Sequence, residues 1–332
     1  MTFVPFCELS RFYKTITLKF LQKYEFLCVQ LAAYIRKSSK NVFVAFLRDK
    51  NSLAVYGIVS LNKTVLHCLP FASESFFMSD MSESSIFKNA SAIQKDFSTV
   101  LATLIKRMSD ENAFDVEDSL SCVNGTYSGV KLILDAFKKV GKTPFQINQY
   151  DLLKLNFETF SKIHAFPFHR GEKIFRLKRN IGVNYRRAVQ HLQNEYEKEE
   201  VLPIGLEFNE DSCRLRLSNA IRTQCVLVLE VPDKNYGDLS DASTPFKEGV
   251  LVAKASTNAV GFHCAQIGGV YTDPAYRGCH YAFNVVFALL KKICRMKKNP
   301  ILFVKKSNEC AQRLYKHLGF DKISDYMIAY FI

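Results

Sequence analysis

Apolar residues along the chain alternate between a period of two and a period near 3.6, which predicts a mixed α/β protein. The predicted strands of the first half are 42–47, 54–61, 120–123 and 149–155, and its predicted helices are 96–107 and 129–140. The last three of these elements in chain order form a β-α-β unit. We therefore expect a smaller α/β domain over residues 1–155.

The second half repeats this mixture and ends in a strongly apolar helix followed by a strand and an amphipathic helix. The predicted strands are 225–231, 249–255, 263–271 and 300–304, the predicted helices begin near 184, 214, 281 and 308, and residues 233–248 are predicted as a loop. Ser256, Thr257 and Asn258 are predicted to form the turn of a hairpin. We expect a connector at 156–183, where periodicity is weak, and a second domain at 184–332.

Composition narrows the classes of function. The chain has 45 Lys and Arg against 32 Asp and Glu, a net charge of +13, so it should attract an anion such as nucleic acid, anionic lipid or a phosphorylated cofactor. Its ten cysteines form no CxxC pair, which argues against a zinc site and favours free thiols in the cytoplasm. No apolar run is long enough for a membrane span. We interpret the basic, aromatic connector as a linker rather than a nucleic-acid surface.

The clearest chemistry lies where a strand runs through a glycine turn into a helix, at 270–282. Such a turn directs unpaired backbone N–H groups and the positive end of a helix at one point, which suits a pyrophosphate. Arg277 can add a charge-assisted contact. Further along, Asn308 can cap a helix that carries Tyr315 in its apolar stripe and ends at Gly319.

These residues resemble the GNAT acetyltransferase family. The resemblance rests on Val270-Tyr271-Thr272-Asp273-Pro274-Ala275-Tyr276-Arg277-Gly278-x-x-Tyr281-Ala282 and on Phe303-Val304-x-x-x-Asn308-x-x-Ala311-x-x-Leu314-Tyr315-x-x-Leu318-Gly319-Phe320. It is close over 250–331 and looser back to 184. It implies a GNAT-type mixed sheet flanked by helices, and an acetyl-CoA-dependent N-acetyltransferase whose partners are CoA and an amine acceptor. The first half resembles a degenerate second copy.

The resemblance also assigns residues. The implied acetyl-CoA contacts are Val270, Tyr271, Thr272, Arg277, Gly278, Cys279, His280, Tyr281, Ala282 and Asn308. Tyr315 would protonate the departing thiolate, and the backbone N–H of Val270 would stabilise the oxyanion. No metal is expected.

Two positions depart from the family pattern. His280 stands where the family has its central glycine; the amides survive this change if His280 can adopt ordinary helical dihedrals, and a protonated imidazole could add charge toward a phosphate. Gln266 stands where some members have a glutamate base, and an amide cannot accept a proton near neutral pH. His263, or a glutamate of the 195–200 segment, could replace that base, or the amine could arrive neutral. The alternative function is a non-catalytic acyl-CoA-binding or regulatory protein.

Overall fold

A computed structural model describes residues 1–49, 52–72, 90–111, 121–232 and 249–331. The strands are β1 (Thr2–Pro5), β2 (Val42–Asp49), β3 (Ser52–Ser60), β4 (Thr64–Cys68), β5 (Cys122–Thr126), β6 (Gln146–Leu155), β7 (Lys173–Arg176), β8 (Val226–Val231), β9 (Val250–Val260), β10 (Cys264–Thr272), β11 (Asn299–Lys305) and β12 (Phe320–Tyr330). They form one twelve-stranded sheet in the order β1-β2-β3-β4-β5-β12-β6-β11-β10-β9-β8-β7. The predicted mixed α/β class is confirmed.

Helices cover both halves of the sheet. They are α1 (Arg11–Tyr24), α2 (Val29–Ile35), α3 (Ala90–Asp110), α4 (Tyr127–Lys139), α5 (Phe157–Ser161), α6 (Val183–Tyr196), α7 (Glu210–Thr223), α8 (Tyr281–Arg295) and α9 (Glu309–His317). The predicted helices at 96–107 and 129–140 fall within α3 and α4, except for residue 140. Helix α8 buries one continuous apolar face because Val285, Val286, Leu289 and Leu290 recur at helical spacing.

The last strand of each half pairs inside the other half. Strand β6, from the first half, lies between β11 and β12, and β12, from the second half, lies between β5 and β6. The β6–β12 pair is long, running antiparallel from Phe320↔Leu155 to Tyr330↔Gln146. As a result, β6 supplies Tyr150 to a cavity whose other lining residues come from Phe166 onward.

A buried carboxylate joins the two halves at the turn between β9 and β10. Glu25, only 1% exposed, accepts hydrogen bonds from the backbone N–H groups of His263 (2.9 Å) and Cys264 (3.0 Å). The Arg36 guanidinium donates to the carbonyl of Gly261 at 2.8 Å. The first half thereby fixes the start of β10, the strand on which the site is built.

One prediction of local structure is wrong. Ser256, Thr257 and Asn258 do not form a turn; β9 continues through them to Val260, and the turn lies at 261–263. Burial overrides their turn preference, because Ser256 and Thr257 are 8% and 1% exposed within the sheet. The predicted connector contains α5 and β7, and β7 pairs with β8 at the sheet edge.

Some predicted segments lie outside the described residues, namely the loop at 233–248 and the first residue of the strand at 120–123. Within the part of the chain that the structure describes, no helix has both the length and the apolarity needed to cross a bilayer.

Candidate functional site

The site is a cleft between β10 and β11. These parallel strands pair only at Cys264↔Asn299, Ala265↔Pro300 and Gln266↔Ile301, and the sheet opens beyond Gln266. A cavity of about 990 Å³ fills the opening. It is lined along β10 by Ile267, Gly268, Gly269, Val270, Tyr271 and Thr272. The edge of β10 is therefore available for an extended ligand to pair with its backbone.

One end of the cavity is the predicted anion site. Arg277, Gly278, His280, Tyr281 and Ala282 all line the cavity, at the N-terminus of the fifteen-residue helix α8. Gly278 has φ of +83°, and a Cβ placed there would meet nothing within 4 Å, so the turn is open toward the cavity. The structure thus brings together backbone amides, a helix N-terminus and an arginine.

His280 does not have ordinary helical dihedrals. Its φ of +59° and ψ of 12° are left-handed, the conformation that glycine adopts without strain. The imidazole stacks on Phe166 with ring centroids 3.8 Å apart, and Phe166 is held by backbone hydrogen bonds to the side chain of Asn284. The turn therefore keeps a glycine-like backbone while the imidazole packs on Phe166.

Arg277 is held by a carboxylate. Its Nη2 donates to both oxygens of Glu199, at 2.9 and 2.7 Å, and its Nε donates to the Thr272 carbonyl at 3.1 Å. This contact with Glu199 raises the pKa of Arg277. Both side chains are about half exposed, at 48% and 44%, so a bound phosphate could replace Glu199.

The other end of the cavity holds the residues suited to proton transfer. Tyr315 on α9 is 7% exposed and lines the cavity, and burial raises the pKa of its hydroxyl, which therefore keeps its proton. Glu200 lines the same end; its carboxylate accepts from the Asn308 side chain at 3.0 Å and pairs with Lys305 at 3.3 Å. Asn308 also caps α9 through Ala311.

His263, the other predicted base, and Gln266, at the position of the family's glutamate, are not part of this cluster. His263 sits in the turn before β10, with its backbone N–H bonded to Glu25, and is not among the described residues that line the cavity. Gln266 is 4% exposed at the last paired position of β10 and is also absent from that lining. In the 195–200 segment, Glu199 and Glu200 both line the cavity, and Glu200 is the one near Tyr315.

Several cavity residues were not predicted from the sequence. Tyr150 comes from β6, Tyr196 from α6, and Ile328 and Tyr330 from β12. Tyr196 follows Val189 and Leu192 at helical spacing, so its position in the sequence predicts a core residue. Tyr150 lies in the first half of the sequence. Only the strand exchange brings Tyr150 to the site.

The first half has a filled space at the corresponding junction of β4 and β5. His67 on β4 is 2% exposed and packs against Gly125 of β5 and Gly129 of α4, where a Cβ at either glycine would overlap the imidazole. Neither ring nitrogen has a hydrogen-bond partner in the described chain, and burial lowers the pKa of His67 to about 3. The imidazole is thus a neutral filler between strand and helix.

Comparison with known proteins agrees with this geometry. Residues 248–329 match the family model of FR47-like proteins, which are GNAT-like. No curated protein matches the chain. A solved Drosophila structure is similar over 96% of this chain and 90% of its own, with 11% identity and a TM-score of 0.55.

Two further solved structures carry GNAT names. A tandem GNAT protein from the clavulanic acid biosynthesis pathway is similar over 99% of this chain and 98% of its own, at 10% identity and a TM-score of 0.49. A GNAT-family acetyltransferase from Novosphingobium aromaticivorans is similar over 56% of this chain and 65% of its own, at 17% identity and a TM-score of 0.38. The chain thus spans just under two thirds of that protein.

The family match confirms the predicted resemblance: the C-terminal region is GNAT-like. At the level of that family, it supports a transferase that uses an acyl-CoA.

Proposed function

We propose that the protein is an acyl-CoA-dependent N-acyltransferase, with acetyl-CoA as donor and an amine as acceptor. The main support is a single cavity along the unpaired edge of β10. It extends from the α8 N-terminus, where Arg277 lies, to the Tyr315 side chain on α9. An anion site, an extended backbone edge and a proton donor lie in the order that an acyl-CoA requires.

In the proposed complex, the pyrophosphate accepts hydrogen bonds from the backbone amides of residues 278–282 and contacts Arg277 in place of Glu199. The pantetheine arm pairs with the backbone of Val270 and Thr272. The turn tolerates His280 because its left-handed φ of +59° keeps the amides in a glycine-like direction. Asn308 orients the end of the arm while it caps α9.

For the reaction, the amine nitrogen attacks the thioester carbon, and the carbonyl oxygen becomes an oxyanion that accepts from the Val270 N–H. Glu200, directly or through a water, takes the proton that the amine loses. The C–S bond then breaks, and Tyr315 donates its proton to the departing thiolate. The raised pKa of Tyr315 suits a donor that must stay protonated until the thiolate forms.

The acceptor enters from the opposite side of the opening, where the strand exchange contributes Tyr150 of β6 and Ile328 and Tyr330 of β12. These side chains are aromatic or aliphatic, while Glu200 and Lys305 supply the nearby charges. The first half therefore shapes the acceptor side through β6.

Release of free thiol from acetyl-CoA in the presence of a panel of amines tests the proposal. Tyr315→Phe should lower turnover by about 10² to 10⁴ and leave acetyl-CoA affinity unchanged, since it removes only the hydroxyl. Tyr34→Phe is the matched control, because the Tyr34 hydroxyl bonds the Lys40 carbonyl in the first half. Binding of acetyl-CoA without thiol release for any amine would instead support the non-catalytic acyl-CoA-binding protein.

A further inference from the structure

A lysine is buried behind the opened edge of β10. Lys254 on β9 is 2% exposed, and its ammonium donates to the carbonyl of Gly269 at 2.9 Å. The ring of Tyr196 lies beneath it, with the nitrogen 4.2 Å from the ring centroid. A lysine is rarely buried without a carboxylate in contact, because removing an ammonium from water is costly. Packing alone does not account for a lysine at this position.

The contact falls on a β-bulge. Gly268 pairs with Ser256 and Tyr271 with Lys254, so Gly269 and Val270 together face one residue of β9. Ser256 Oγ donates to the Gly268 carbonyl at 3.0 Å, as Lys254 does to that of Gly269. Gly269 has φ of +59°, and a Cβ there would approach Ser256 Oγ to 2.7 Å, so glycine is required. Two side chains of β9 thus bind the carbonyls of Gly268 and Gly269.

This arrangement fixes the direction of an amide. In a trans peptide the C=O and the following N–H point in opposite directions. Because Lys254 holds the Gly269 carbonyl on the β9 side, the Val270 N–H of the same peptide is directed to the opposite side, toward the cavity that Val270 lines. A cation on the carbonyl oxygen also polarises the peptide and strengthens its N–H as a donor.

We propose that Lys254 is a positioning residue for acyl transfer, which acts through the Gly269–Val270 peptide to direct and strengthen the N–H that receives the thioester oxygen. The inference rests on the proposed function and extends it to a residue that does not touch the substrate. Lys254 and Ser256 act together, because Ser256 orients the preceding peptide and Lys254 supplies the charge.

The charges around Lys254 suit this role. Burial lowers the pKa of Lys254 to about 7, and the nearby carboxylate of Glu197 opposes that shift. Glu197 itself is paired with Arg216 of α7 at 2.6 Å. The other titratable groups that face Lys254 are Tyr196 at the end of α6 and Cys213 on α7, and burial raises the pKa of both. Among the described residues, Glu197 thus offsets part of the cost of burying the ammonium without forming an ion pair with it.

The test uses acetyl-CoA labelled with ¹³C at the thioester carbonyl, whose infrared stretch falls when a donor polarises it. The full-length protein should lower the stretch of the bound ligand, and Lys254→Met should return it toward the free value with acetyl-CoA affinity kept. Turnover should fall by about 10- to 100-fold, less than the roughly 10²- to 10³-fold loss of a direct oxyanion donor. Lys292→Met, an equal charge change at an exposed site on α8, is the control.

An unchanged stretch in Lys254→Met, with acetyl-CoA bound, would overturn the inference but not the proposed function. Failure of the unaltered protein to bind acetyl-CoA would overturn both. Should Lys254→Met not fold, the unaltered protein supplies the same test by titration. Its bound carbonyl stretch should rise as pH passes through about 7, where the ammonium loses its charge. A stretch that stays flat from about pH 6 to about pH 10 would contradict a role for the charge.

Discussion

Glu199 and Arg277 form an ion pair at the cavity, with both carboxylate oxygens accepting from one guanidinium nitrogen at 2.9 and 2.7 Å. The pair occupies the arginine that the proposed function assigns to the pyrophosphate. In the proposed complex, acetyl-CoA therefore competes with Glu199 for this guanidinium nitrogen.

Removing the Glu199 charge should strengthen binding. Glu199→Gln frees Arg277, and because half-exposed ion pairs contribute about 0 to 1 kcal/mol, acetyl-CoA affinity should rise by up to about 5-fold. Titration calorimetry measures this directly. Glu195→Gln is the matched control, because Glu195 pairs with Lys198 on the same segment. Weaker binding in Glu199→Gln would mean that Glu199 supports the arginine rather than competing for it.

The left-handed conformation of His280 gives a prediction about stability. His280→Gly and His280→Ala both lose the stack on Phe166, but only glycine adopts a φ of +59° without strain. The glycine variant should be more stable than the alanine variant by about 1 kcal/mol in denaturant unfolding. Equal stabilities, or a more stable alanine variant, would show that the turn relaxes on substitution.

Buried His67 predicts a pH dependence of folding. Its pKa in the folded chain, about 3, lies below the ordinary value of 6.5. Between pH 3 and pH 6.5 the unfolded chain therefore binds a proton at this residue and the folded chain does not. Stability should fall as pH drops from about 6.5 toward 3, by up to about 1.4 kcal/mol per pH unit from this residue. His67→Leu should lose that component, as measured by urea unfolding at several pH values. An unchanged slope would assign the pH dependence to other groups.

The Glu25 contact predicts that the two halves stabilise each other. Glu25→Ala leaves the backbone N–H groups of His263 and Cys264 without their acceptor in a buried place, which should cost about 2 to 5 kcal/mol of unfolding free energy. Glu8→Ala, at an exposed residue of the same half, should change stability by less than about 0.5 kcal/mol. A small effect of Glu25→Ala would mean that the turn before β10 is held by Arg36 and packing alone.

The sequence predicted the parts of the site that local pattern specifies. The glycine turn before α8 and the Asn308 cap of α9 depend on residues close together in the chain, and both are found as expected. The turn at Ser256–Asn258 was wrong because β9 is an interior strand, paired with β10 on one side and with β8 on the other. A polar triplet inside a buried strand cannot be distinguished from a turn by local preference.

The exchange of β6 and β12 could not be predicted for a similar reason. The alternation of apolar residues in each strand would be the same whether it paired within its own half or with the other half. The sequence pattern therefore does not indicate which half each strand joins. Lys254 could be noticed in the sequence, since it is a lysine that directly follows the four apolar residues at the start of β9. Its role required the bulge geometry, which depends on the register between β9 and β10.

In the proposed function, the cleft beside β10 binds acyl-CoA through the α8 N-terminus and Arg277. Calorimetric titration of acetyl-CoA into the unaltered protein, Arg277→Ala and Arg295→Ala tests it most directly, because Arg295 is exposed at the opposite end of the same helix. Binding should weaken by about 1 to 3 kcal/mol in Arg277→Ala and stay unchanged in Arg295→Ala. Equal affinity in the unaltered protein and Arg277→Ala, or no binding at all, would contradict this claim.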